Sequence, residues 1–241
     1  MKQNIKINLV VPYHRTGLKE KLFAHLEPMG ITLHLIDDTK INGLKWPSWV
    51  RRHEAFPPRG WDACYWKINW FADHTPIHDD EYYHLMGDDD LPEPGYFDFV
   101  RKHDGPVIIT SIHYLPGIDM LACPDNMRIG CVGLRQYLVR GDIFRQHRHI
   151  NATHGDGDFC EQLYRDHSPL DYAPEAFVRY NALEHDRWNY KKKYEGPFVF
   201  GPPLENPLHK KSPTQMQFDR WTLTPIQVPS LSVPSATGIR T

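Results

Sequence analysis

Three consecutive carboxylates, Asp88-Asp89-Asp90, close the strand-like run Tyr82-Tyr83-His84-Leu85-Met86-Gly87, and Leu91-Pro92-Glu93-Pro94-Gly95 follows at once. Two carboxylates about 4 Å apart repel by about 1 kcal/mol in water and about 4 kcal/mol at an effective dielectric of about 20, so a triplet needs compensation. A divalent cation supplies it. In an extended backbone alternate side chains share a face, which points Asp88 and Asp90 at one ion and Asp89 away. All-oxygen donors suit Mn2+ or Mg2+, which keep several waters and take further oxygens from substrate phosphates. The plainer alternative is a solvated turn whose last Asp caps a helix beginning near Pro92 or Pro94. Position favours chemistry, because open α/β sheets bind ligands outside the carboxyl ends of their strands.

A second acidic group, His154-Gly155-Asp156-Gly157-Asp158, stands at the expected start of a helix. Its dipole lowers a carboxyl pKa and burial beside an apolar wall raises it. Asp156 is the candidate for chemistry, and Asp158 is first of all a helix N-cap. His185 follows the last expected strand and could return to a metal as a neutral imidazole. Lys67 is either a phosphate contact or a solvated lysine. Tyr65, Trp66 and Trp70 could form a sugar-stacking wall, although aromatic residues at helical spacing are more often core.

The 241-residue, 28.2 kDa chain is long enough to bury one sizeable core, and 40% apolar residues are ordinary for a globular protein. A formal charge of −2 gives no general attraction to nucleic acid or to an anionic membrane. Ile5 to Val11 is interrupted by Lys6 and Asn8, so the expectation is a cytoplasmic protein with no leader and no membrane span. The four cysteines form no C-x-x-C pair and read as reduced thiols, and the fifteen histidines are scattered.

These residues need an α/β frame. The β-branched run Ile5 to Val11 predicts a buried parallel strand stopped by Pro12, Gly17 to Leu26 a helix, and Ile31 to Ile36 a second strand ending in Asp37-Asp38, together one βαβ unit. The tryptophan-rich segment from Trp46 to Trp70 loops through Phe56 to Gly60, and Trp61 to Asp73 reads as helix. A helix over 94–103, strands over 106–112, 134–139 and 176–180, and a long loop over 117–133 complete the pattern. From Gly196 onward prolines punctuate a tail without periodicity, an extended arm over 196–241.

The order of motifs, Val11-Pro12-Tyr13-His14-Arg15 after one strand, Asp37-Asp38 after another, Leu85 to Pro92 around the triplet, then Gly155 to Cys160, resembles a GT-A glycosyltransferase and is closest in pattern to family 2. The resemblance covers residues 5 to 190. It implies a Rossmann-like, mixed, mostly parallel sheet flanked by helices, with a nucleotide-sugar half at 1–105 and an acceptor half at 106–195. Pro12, Tyr13 and Arg15 would border the nucleotide, with Asp37 or Asp38 on its base or ribose. Asp88 and Asp90 would hold the ribose and the diphosphate-bound metal, with Asp89 as the alternative if the register slips by one. Asp156 would be the general base with Asp158 as fallback, and His185 would complete the metal shell. The sequence departs from the family in having Gly155-Asp156 for the usual Glu-Asp pair and Thr39-Lys40 for the usual Gly-Ser.

The resulting expectation is a metal-dependent, inverting transferase that moves a sugar from a uridine diphosphate donor to an acceptor hydroxyl. Glycan, protein, lipid head group and modified DNA base are all open as acceptors. Rival classes are a sugar-nucleotide nucleotidyltransferase, a metallohydrolase built on His154, Asp156 and Asp158, and a non-catalytic carbohydrate-binding module.

Overall fold

The computed structural model describes residues 5–39, 46–59, 63–115, 118–127, 132–152, 154–180 and 182–183. All of them fall within 1–195, the first of the chain's two units. The strands are β1 (Ile7–Tyr13), β2 (Thr32–Asp37), β3 (Val50–Glu54), β4 (Tyr82–Leu85), β5 (Leu91–Pro92), β6 (Val107–Leu115), β7 (Ile118–Met120), β8 (Tyr137–Arg140) and β9 (Asp171–Arg179). The α-helices are α1 (Lys19–Leu26), α2 (Ala63–His74), α3 (Tyr96–Val100), α4 (Gly141–Phe144) and α5 (Gly155–His167). One nine-stranded sheet runs in the order β3-β2-β1-β4-β8-β6-β9-β5, with β7 paired to β6.

The expected mixed α/β sheet is present: β1, β2, β3, β4, β6 and β9 run in one direction and β5, β7 and β8 in the other. Among the described residues β1–β2, β1–β4, β2–β3 and β6–β9 pair parallel, while β4–β8, β5–β9, β6–β7 and β6–β8 pair antiparallel, four ladders of each kind. The parallel half is the expected βαβ unit extended on both sides. The rest mixes directions because short connections, such as the one from β6 to β7, turn the chain straight back.

Alternation along β1 feeds two core layers. Val10 faces α2, α4 and α5 through Ile68, Phe71, Phe144, Phe159 and Leu163. Leu9 and Val11 face α1 and α3 through Leu22, Leu26, Phe97 and Val100. Each fully buried side chain of this size contributes about 1.5–3 kcal/mol of transfer free energy. Tyr65 lies in the first layer with Trp66 and Trp70 packed against it, so these aromatics are core and not a sugar wall.

Several expected boundaries move. Pro12 does not stop β1: it pairs with Ile36, and the strand runs on to Tyr13 opposite Asp37. The β1–β4 ladder ends at Val10 opposite Leu85, so Pro12 has a ladder neighbour on the β2 side alone, where a missing N–H is tolerated. β3 lies where the sequence pattern marked no strand, its pattern masked by Arg51, Arg52 and His53 on an edge strand. Residues 134–136 form a 3₁₀ turn ahead of β8, and β9 begins at Asp171. Cys64, Cys123 and Cys160 form no disulfide with one another, and Cys131 lies outside the described residues. Among the described residues no helix is long and apolar enough to cross a membrane.

Candidate functional site

The chain leaves β4 in a turn closed by the Asp90 N–H on Gly87 O at 3.4 Å, so strand alternation does not govern the triplet. Asp88 is 1% exposed; its Oδ2 accepts the backbone N–H groups of His14 at 3.0 Å and Arg15 at 2.9 Å, and its Oδ1 pairs with the Arg15 guanidinium. The same guanidinium lies 3.3 Å from Asp89 Oδ1. Asp90, with no exposed surface, accepts the Gly87 N–H at 3.0 Å and Nε–H of Arg135 at 2.7 Å, both on Oδ2. Asp88 and Asp89 therefore share one cation and Asp90 has another, in place of the expected sharing by Asp88 and Asp90.

The ends of β1 and β2 are tied to this turn. Tyr13 is buried, and burial with Asp37 and Asp88 nearby pushes its phenol pKa up. Asp37 accepts the Thr39 N–H at 2.7 Å and Nε–H of Arg52 at 2.6 Å. Burial raises the Asp37 pKa, but those donors outweigh it and hold the carboxyl below its ordinary value. Lys67 reaches up from α2 with no exposed surface, donates to Tyr13 O at 2.8 Å and pairs with Asp38 Oδ2 at 2.9 Å. It is not a solvated lysine; it clamps the two strand ends together.

Asp156 sits in the first turn of α5, where His154 is the N-cap and makes no side-chain cap bond. Its Oδ1 accepts the Gly157 N–H at 2.8 Å, its Oδ2 accepts the Leu134 N–H at 3.2 Å, and the Tyr65 hydroxyl also bonds to it. Gly155 makes this approach feasible: a Cβ there would lie 2.6 Å from Ile150 O and 3.0 Å from the Tyr65 ring. Burial raises the Asp156 pKa against the opposing pull of Gly157, Arg135, Leu134 and Tyr65. Asp158 accepts Nε2–H of Gln162 at 2.6 Å along the helix and is not the N-cap.

One residue that sequence reasoning missed joins the two acidic groups. Arg135 donates to Asp90 from the 3₁₀ turn whose first residue, Leu134, donates to Asp156, and its guanidinium carbon lies 4.2 Å from the Tyr180 ring centroid. Burial works against the charged guanidinium, but Asp90, Tyr180 and Asp156 more than offset it and raise its pKa. The turn is fixed by Gln136, which accepts the Gly133 N–H at 2.9 Å and donates to Thr110 O at 3.2 Å. No periodicity or motif marks Arg135, because its role depends on which strand lies beside β4.

The described donors do not fit a divalent-ion site. No group of three His, Cys, Asp or Glu side chains among the described residues could hold a metal, and Asp88 and Asp90 are turned to guanidinium and backbone N–H groups. This also leaves the metallohydrolase alternative without a cluster, since Asp156 and Asp158 bond to different elements. His185 and residues 196–241, expected to form an extended arm, lie outside the described residues. A groove of about 540 Å³ between α1 and α3, lined by Met29, Pro94, Phe97 and Arg101, contains none of the candidate site residues.

No family model matches the chain, and no curated protein matches it. Among solved structures it is similar to the inositol-1-phosphate CTP transferase from T. maritima, with a TM-score of 0.45 and 9% identity over 74% of this chain and 90% of that chain. A likeness at that level bears on no functional claim. Nothing in these comparisons places the chain in glycosyltransferase family 2.

Proposed function

We propose that the protein is a transferase that holds a nucleotide-activated sugar at the carboxyl ends of β1, β2 and β4 and passes the sugar to an acceptor hydroxyl. The observation that supports this most is the 3₁₀ turn at Leu134–Gln136, which holds Asp90 of the strand-end triplet and Asp156 through adjacent residues. A buried carboxyl with a raised pKa, next to a charged strand edge, has the character of a general base. Each carboxylate oxygen has two lone pairs, so Asp156 can keep its present donors and still take a proton.

In the proposed step the acceptor oxygen attacks the anomeric carbon and its proton goes to Asp156. The bond from that carbon to the diphosphate oxygen breaks on the opposite face, which inverts the centre. The leaving nucleoside diphosphate carries the negative charge, and the Arg15 guanidinium, whose side chain is 33% exposed at the end of β1, is the cation placed to meet it. Pro12, Tyr13, Asp37 and Asp38 shape the same edge, and the GT-A assignment belongs to this proposal.

A second reading, nucleotidyl transfer to a sugar phosphate, is favoured by Arg15 two residues beyond the end of the first strand, where a nucleoside triphosphate would need a cation. Titration calorimetry with nucleotide sugars and with nucleoside triphosphates, with and without Mn2+, followed by product analysis, separates the two. Release of nucleoside diphosphate from a uridine diphosphate sugar supports glycosyl transfer; release of pyrophosphate supports nucleotidyl transfer. Failure of both nucleotide classes to bind sinks both.

A further inference from the structure

We infer that the cation this site uses is built into the chain: the guanidinium groups of Arg15 and Arg135 occupy the electrostatic place of a divalent ion at Asp88-Asp89-Asp90. This deepens the function proposed above and rests on it only for the consequence in turnover. The three carboxylates are 1%, 4% and 0% exposed, and buried carboxylates persist as anions only where opposite charge and hydrogen-bond donors meet them.

Both oxygens of Asp88 are already engaged, Oδ2 by two backbone N–H groups and Oδ1 by Arg15. Asp89 shares that guanidinium, and Asp90 Oδ2 takes Gly87 N–H and Arg135. Arg135 is held in turn with its guanidinium carbon 4.2 Å from the centroid of the Tyr180 ring, a cation–π contact. An incoming Mn2+ would have to displace a guanidinium from a buried carboxylate and then sit beside it as a like charge. The arrangement therefore has no need of an ion and resists one.

The test is titration of the full chain with Mn2+ alone, by calorimetry and by thermal melting. The wild-type protein is expected to show no saturable heat and no shift through millimolar Mn2+. Arg135→Ala leaves Asp90 without its guanidinium, so this variant is expected to gain a Mn2+-dependent rise in Tm. Arg135→Lys, which keeps the charge, is expected to stay unresponsive, and Arg135→Ala combined with Asp90→Asn to lose the gained response. Saturable Mn2+ binding by the wild type that disappears in Asp90→Asn overturns the inference, and that arm decides even if Arg135→Ala does not fold.

A second arm compares nucleotide-sugar binding and turnover in chelator and in Mn2+. Equal values are expected, and stimulation by Mn2+ of more than about tenfold, about 1.4 kcal/mol, would also overturn the inference. Absence of any nucleotide binding under both conditions would count against the proposed function, and the Mn2+ titration would then decide this inference by itself.

Discussion

Asp156 carries two opposed demands, because the burial that raises its pKa also makes its charged form costly to fold around. As the base it must be ionised, so activity should fall as pH drops through its raised pKa, with an acid limb above the ordinary carboxyl value of 3.8. A pH–rate profile measures this, and a limb at or below that value would remove Asp156 from the role. Asp156→Asn should cut turnover by about 10²–10⁴-fold with donor binding kept. Stability should move the other way. An acid whose folded pKa is raised contributes stability below its unfolded pKa and loses it as pH rises through the folded value. The share of stability that Asp156 contributes should therefore be lower at neutral pH than at about pH 4, a pH dependence that Asp156→Asn removes whatever its own Tm, as paired thermal melts across that range would show.

At the scale of elements, the start of α5 and the 3₁₀ turn before β8 fix where Asp156 lies. Gly155→Ala pushes a methyl into Ile150 O and the Tyr65 ring, so we expect a loss of about 1–3 kcal/mol in urea unfolding. Turnover should fall further than donor binding, since the displaced helix carries Asp156 and not the residues at the ends of β1 and β2. Equal losses in both would mean that α5 also shapes the donor edge. The helix and its two aspartates were legible in the sequence because Phe159 and Leu163 mark its buried face. β3 was not, since Arg51, Arg52 and His53 interrupt its apolar pattern, and the partner of Asp37 was hidden with it.

At the scale of the whole molecule, His34, His84 and His149 are buried imidazoles whose neutral form the fold favours. Burial pushes His34 and His149 down to about 3 and His84 down to about 4, from an ordinary 6.5. His34 sits in a polar chain in which it donates to Asn8 Oδ1 at 3.2 Å and faces His53 at 3.0 Å, while Asn8 donates to Glu81 at 2.7 Å. His84 faces Tyr137 O at 3.1 Å, and His149 stacks on Phe159 at 4.1 Å. A depressed pKa gives stability that is present above 6.5 and lost as pH falls, because the unfolded chain takes up protons that the folded one refuses. Each such group removes about 1.4 kcal/mol per pH unit in that window. Thermal melts should therefore show Tm falling from about pH 6.5 to about pH 4, with a smaller slope in His149→Phe. A flat profile would mean that these rings protonate in place.

The sequence by itself determined the βαβ opening, both acidic groups and their places at a strand end and a helix start, because those features are local: apolar period, proline and glycine positions, and charge. Only the tertiary structure decided what faces the carboxylates. Arg15 lies on a loop after β1 and Arg135 on a turn before β8, and both meet their partners only when β4 lies between β1 and β8, while Lys67, in the middle of a helix, meets Asp38 only when β1 lies beside β2. Charge compensation acts through space over a few ångströms and leaves no period in the chain. The same repulsion that called for a divalent ion in the sequence is met in the fold by two guanidinium groups.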